Sequence, residues 1–279
     1  MVGLTIKPGR FARTDDARTQ ASLRPSRRRM LIRAAEFCFA AVLRLAPQRR
    51  RFGVTLLMAS AAVPLLSRTS AYRQQESIGF DGPKEIALHF MLNALTRNGT
   101  RFDPMLRVSG FEEFERACAA GKGVLVVGPH AALTLLMIRI FFDRGLDPVV
   151  ISPDPEMRAA GTTVTVRTIQ PSPTFLVKTR SRLRRGELVC AMPDRAEHHG
   201  ARTVEFATAG GRVIVAPALL HVAARCGARV VFTEVHIEGR SGVAGTISMP
   251  EDGFSGDAIL NAFKNFIRAR ATARANFNA

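Results

Sequence analysis

From residue 121 onward, short apolar runs alternate with longer stretches of helical character, and this alternation restricts the fold more than any other feature of the chain. The runs are GVLVVG (123–128), PVVIS (148–152), TVTVRTI (163–169), ELVCAM (187–192), VIV (213–215), RVVFTEVH (229–236) and VAGTISM (243–249). Each is too short for a helix and rich in branched side chains that suit a pleated surface. Between and after them, helices are predicted at 131–144, 174–185, 217–226 and 256–273, with two more upstream at 84–97 and 111–120. Gly145, Gly186 and Gly227 each follow a predicted helix, where a left-handed residue can end it without steric cost. The pattern predicts an α/β fold, with a mainly parallel central sheet and helices on both faces.

The first third of the chain reads differently. Residues 1–29 are polar, arginine-rich and without periodicity, as expected of a basic, disordered arm. SRRRMLI (26–32) resembles a twin-arginine export signal, but Glu36 and Arg44 interrupt the apolar run behind it and no small-residue cleavage site follows. Residues 30–46, MLIRAAEFCFAAVLRLA, read as a helix, and 52–67, FGVTLLMASAAVPLLS, are uncharged between Arg51 and Arg68. A spanning helix needs about 20 apolar residues; this stretch is shorter and contains Pro64. Basic residues flank both ends, so charge asymmetry sets no crossing direction. The favoured reading is a monotopic hairpin lying in a membrane interface, with a true span or an ordinary buried hairpin as alternatives. The expected organisation is an arm at 1–29, a membrane-associating helical segment and linker at 30–84, and an α/β domain at 85–279.

Charge and composition narrow the partners. The 279 residues carry a net charge of +17, and residues 1–51 alone hold thirteen basic and three acidic side chains. Such an arm suits anionic lipid, nucleic acid or an acidic protein. The chain has no tryptophan and a single tyrosine, Tyr72, which argues against a base-stacking platform, so nucleic acid is not the expected partner. The four cysteines (Cys38, Cys118, Cys190, Cys226) are scattered, and read as reduced core residues of a cytosol-facing protein. No G-x-x-x-x-G-K-[ST], G-x-G-x-x-G or G-x-S-x-G occurs, and the GKG (121–123) and AGGR (209–212) stretches read as turns. Glu197, His198 and His199 are adjacent on a predicted loop, an arrangement that rarely closes on one ion, so no metal is expected. His221 falls inside a predicted helix and reads as a packing residue.

In parallel α/β sheets, sites lie beyond the carboxyl ends of strands. His130 is two residues past one such end and Asp194 two past another. The blocks around them are GKGVLVVGPHAALTLL (121–136), LRRGELVCAMPDR (183–195) and ARTVEFATAGGRVIVAPALLHVAARCGARVVFTEVHIEG (201–239). With the apolar, basic N-terminal segment, their order and spacing over roughly 85–260 resemble the lysophospholipid acyltransferase superfamily, and within it the lauroyl/myristoyl acyltransferases of lipid A biosynthesis.

The resemblance implies transfer of a fatty acyl group from acyl carrier protein or CoA to a hydroxyl of a lipid or saccharide acceptor. It implies a setting on the cytoplasmic face of a bacterial inner membrane, contact with membrane lipid, and no cofactor beyond the thioester. His130 matches the histidine that acts as general base. In the pattern H-x4-[DE], an acid five residues later orients that imidazole; here the position is Leu135, and no carboxylate follows until Asp143. Asp194, Glu205, Asp154, Thr134 or a backbone carbonyl are the open candidates for its role. Asp194 and Arg195 match the Pro-Asp block as site support, and Arg158 is a candidate for anionic oxygens, which its planar guanidinium binds bidentately. The rival reading is a catalytically inactive protein of this fold that binds lipid or acyl carrier, or assists a partner enzyme.

Overall fold

The computed structural model describes residues 38–69, 82–103, 106–131, 133–194, 202–209, 211–238, 242–250 and 255–278. The arm at 1–29, the linker around Tyr72, and Arg195, Glu197, His198 and His199 lie outside the described residues. In chain order the elements are helix α1 (38–45), α2 (Gln48–Leu66), α3 (Pro83–Arg97), β1 (Leu106–Ser109), α4 (Phe111–Ala119), β2 (Val124–Val127), α5 (Thr134–Asp143), β3 (Val149–Ile151), β4 (Arg167–Ile169), α6 (Phe175–Arg184), β5 (Leu188–Ala191), β6 (Val204–Thr208), β7 (Gly211–Val215), α7 (Ala218–Cys226), β8 (Arg229–Glu238), β9 (Gly242–Ser248) and α8 (Gly256–Asn278).

Seven strands form one sheet in the order β1-β9-β8-β2-β5-β3-β4, and every neighbouring pair is parallel except β8 with β9. Alternate residues along each strand point to opposite faces, and two separate cores record this. Val124 and Val126 of β2, Cys190 of β5 and Val231 of β8 enter a core shared with α2, α3, α4 and α5. Leu125, Val127, Val189 and Val230 enter a second core with α6, α7, α8 and the β6–β7 hairpin. Both faces of the sheet are thus covered by helices, as the uninterrupted apolar strands require.

Several expectations were corrected. Of 163–169, only Arg167–Ile169 joins the sheet. The backbone groups ahead of it bond locally instead, with Val166 N–H donating to the Met157 carbonyl, Ala159 N–H to that of Val164, and Arg158 bridging Thr165. Two strands went unread. Leu106–Ser109 alternates half-buried and exposed residues, and Val204–Thr208, of which Phe206 alone is buried, sits in a separate antiparallel pair. The helix expected from 131 starts at Thr134. Ahead of it Ala131 N–H donates to Pro129 O (2.7 Å) and Thr134 N–H to Ala131 O (3.2 Å), local bonds that precede the helix. Gly145, Gly186 and Gly227 do take positive φ at their helix ends.

The N-terminal helices join the same structure. Phe52, Leu56 and Ala59 of α2 are fully buried beside Leu88, Leu92 and Leu95 of α3. Pro64 lies in the last turn of α2 without ending it, although its missing N–H costs the helix one i→i−4 hydrogen bond. Glu85 ties this layer to the sheet, accepting from the N–H groups of Gly82 (2.9 Å) and Ile237 (3.2 Å). Among the described residues, no helix is long and apolar enough to cross a membrane. The cysteines are free, but Cys190 alone is fully buried; Cys38 is exposed and Cys118 and Cys226 are partly so, which corrects their reading as core residues.

Candidate functional site

β2 and β5 are adjacent and parallel, in the register Val127 with Ala191. The chain leaves their carboxyl ends in opposite directions. After β2 it passes to α5, whose Leu136, Met137 and Phe141 pack on the first face. After β5 it passes to the β6–β7 hairpin and α7, whose Leu219, Leu220 and Ala223 pack on the second. Diverging connections open a crevice between the two strand ends, and in open α/β sheets this is where ligands bind.

His130 and Asp194 meet in that crevice, although 64 residues separate them in sequence. The His130 backbone N–H donates to the Asp194 carboxylate at 2.5 Å. The loop around them is braced. Gly128 N–H donates to Ala191 O (3.3 Å), Thr134 Oγ1 donates to Pro129 O (3.1 Å), and Ala216 N–H donates to Pro193 O (2.8 Å). Gly128 is required for this approach, because a Cβ there would lie 2.7 Å from the Thr233 carbonyl oxygen.

The imidazole is half-buried and hydrogen-bonds to Met192, with Nδ1 3.0 Å from the thioether sulfur. A thioether can only accept, so this contact favours the tautomer with the proton on Nδ1 and the lone pair on Nε2. That is the state in which Nε2 serves as a base. Met192 carries no charge, so it stabilises an imidazolium less than a carboxylate would. The sequence reading passed over Met192 as a strand-end residue; its place immediately before the Pro-Asp pair was the available signal.

The remaining candidates are placed as follows. Leu135 is half-buried on the first core. Asp194 engages the backbone of His130, and Thr134 braces the loop. Glu205 pairs with Arg212 at 3.0 Å on the exposed hairpin, and Asp154 accepts from Glu156 N–H at 2.9 Å within its own turn. Arg158 is exposed in the loop beyond β3, and no hydrogen bond joins its side chain to the His130 cluster. His221 packs against Gly256 where α7 meets the start of α8, and its Nε2 also lies 3.1 Å from the Asp257 carboxylate.

Behind Met192 an apolar slot runs beneath α5, lined by Val126, Val150 and Cys190 from the sheet and Met137, Ile138 and Phe141 from the helix. Its volume is about 20 Å³, room for roughly one water. Burial pushes the Cys190 thiol well above the ordinary cysteine range, with nearby Cys118 adding to the effect; a thiol so buried is a wall of the slot and not a nucleophile. Among the described residues no group of histidines, cysteines or carboxylates is arranged to hold a metal ion. No family model matches the chain, and no curated protein matches its sequence.

Proposed function

We propose that the protein is an acyltransferase that moves a fatty acyl group from acyl carrier protein or CoA to a hydroxyl of a lipid or saccharide acceptor. The setting proposed is the cytoplasmic face of a bacterial inner membrane, and the acceptor class nearest the resemblance is lipid A. The observation that carries this reading is the placement of His130. It stands at the divergence of β2 and β5, with Nδ1 against Met192 at 3.0 Å and an apolar slot behind the sulfur.

In the proposed reaction, Nε2 of His130 removes the acceptor hydroxyl proton as the oxygen attacks the thioester carbonyl. The tetrahedral intermediate collapses, the C–S bond breaks, and the leaving thiolate takes the proton back from the imidazolium. Asp194 holds the backbone that carries the base. The acyl chain is proposed to approach the slot beneath α5, which would have to widen from its present volume to admit it, the unbranched Met137 side chain being the most adaptable part of its lining. Arg195 and Arg158 are proposed to meet an anionic headgroup.

The test is transfer of labelled acyl groups from acyl carrier protein and from CoA to candidate lipids. Wild-type protein is expected to form the acylated product, and His130→Ala to lose it while keeping its melting temperature. Turnover that survives in His130→Ala removes the assignment. A second reading, a non-catalytic member of the same fold, is favoured by Leu135 in place of the acid and by the uncharged Met192 beside the imidazole. It predicts lipid or carrier binding by the wild type with no product.

A further inference from the structure

Residues 38–69 contain five arginines and no aspartate or glutamate. Two of the five are used internally. Arg51 donates to the carbonyls of Ala46, Arg44 and Arg101, and Arg44 donates to that of Asn98. The side chains of Arg49, Arg50 and Arg68 are exposed and bond to no described residue.

The two sides of α2 differ in what they touch, but neither carries a charge between Arg51 and Arg68. The inner side, with Phe52, Leu56 and Ala59, is fully buried. On the outer side Leu57, Ser60, Ala61, Pro64 and Leu65 are exposed, Leu57 at 74% and Leu65 at 71%. Ser60 is the single polar side chain among these five. Positions 50, 57, 61, 64 and 68 succeed one another at helical spacing and share one side. Arg50 therefore stands at one end of an apolar stripe, and Arg68 just beyond the other. Ser60 lies at the edge of that stripe and does not interrupt it. Leu45, at the turn into α2, is 87% exposed. A helix on the surface of a water-soluble domain normally turns a charged or polar face outward; this one turns leucine, alanine and proline outward, with one serine at the margin.

Three occupants are conceivable. A spanning insertion would strip Phe52, Leu56 and Ala59 from the first core. A second copy would bring the uncompensated Arg49, Arg50 and Arg68 toward their own equivalents. An anionic bilayer satisfies both features, accepting leucines between headgroups and arginines at phosphates, with the long arginine side chains reaching outward from the apolar stripe. We propose that the outer face of α2 seats the protein on an anionic lipid surface, with the helix axis parallel to the membrane and its inner face still in the core. This deepens the membrane setting of the proposed function but stands apart from its chemistry, since lipid seating can be measured whether or not acyl transfer occurs.

Full-length protein is sedimented with phosphatidylcholine vesicles, with or without phosphatidylglycerol. The variants are Leu57→Gln/Leu65→Gln, Arg49→Gln/Arg50→Gln/Arg68→Gln, and Val177→Gln, which replaces an exposed apolar residue of α6 as a control. The leucine variant is expected to bind both vesicle types about tenfold more weakly, because two apolar side chains no longer leave water. The arginine variant is expected to lose the preference for phosphatidylglycerol, and Val177→Gln to match wild type. All substituted side chains face solvent, so unchanged melting temperatures are expected. Leucine-variant binding within about twofold of wild type overturns the proposal and assigns any lipid affinity to other segments. So does unchanged vesicle binding with a shift from dimer to monomer in sedimentation equilibrium, which would make the stripe a self-association face.

Discussion

At the scale of single residues, the candidate site rests on contacts that substitution can separate. Asp194 secures the His130 backbone, and a charged acceptor of this kind contributes about 1.5–3 kcal/mol. Asp194→Ala is expected to lower the urea midpoint by a corresponding amount, with Asp194→Asn recovering part of it. Met192→Leu keeps the volume but removes the acceptor beside Nδ1. If acyl transfer occurs, this variant is expected to lose kcat several-fold with little change in KM, and to shift the imidazole ¹⁵N resonances toward a mixture of tautomers. Unaltered tautomer signals would show that Met192 does not position the ring. Gly128→Ala forces a methyl group against the Thr233 carbonyl, 2.7 Å from the ideal Cβ, and is expected to cost about 1–3 kcal/mol by overpacking. Leu135→Glu, which restores the acid of the resembled motif, places a charge on the first core. The expected result is lost stability without gained turnover.

Between elements, Glu187 is the most connected carboxylate described. It lies 2.9 Å from Arg182, 2.8 Å from Arg185 and 3.4 Å from Arg167, so it joins the end of α6 to β4 and the start of β5. Burial alone would raise its carboxyl, but hydrogen bonds from Arg185 and Arg182, with their charge, outweigh that and hold it below the ordinary glutamate value. A lowered folded value means the ionised form favours the folded state. The contribution is complete above pH 4.5, the ordinary value, and is lost as the pH falls through the lower folded one. Glu187→Gln should therefore be less stable than wild type at neutral pH, with the gap closing in acid. The arginines are partly exposed, so the effect should be modest and smaller in high salt. Thiol accessibility offers an independent check of the layers. Cys38 should react first with a thiol reagent. Cys118, pushed up to about 11 by burial and the Glu115 carboxylate, should react slowly. Cys190 should stay protected until the protein unfolds.

Over the whole molecule, two cores on opposite faces of one sheet share the work of holding the crevice open. The first carries α2, α3, α4 and α5 and backs the apolar slot; the second carries α6, α7 and α8 and anchors the return from β5 to β8. Phe114 and Phe141, with ring centroids 4.9 Å apart, lock α4 to α5. Phe141→Ala removes a fully buried ring that also lines the slot, and is expected to cost about 3–5 kcal/mol by thermal or urea denaturation.

The chain's own pattern determined the fold class and most element positions. Uninterrupted valine and isoleucine runs need burial on both faces, and glycine ends a helix wherever φ must be positive; both are local demands. It also determined that His130 and Asp194 would stand at strand ends. Only the tertiary structure decided that those two strands are neighbours, since strand order depends on which crossovers can pack and not on sequence proximity. It alone set Asp194 against the His130 backbone and Met192 against the ring. It also decided which side of the uncharged stretch of α2 stays exposed, because a helix apolar almost all round carries too little periodicity to say which side will be covered.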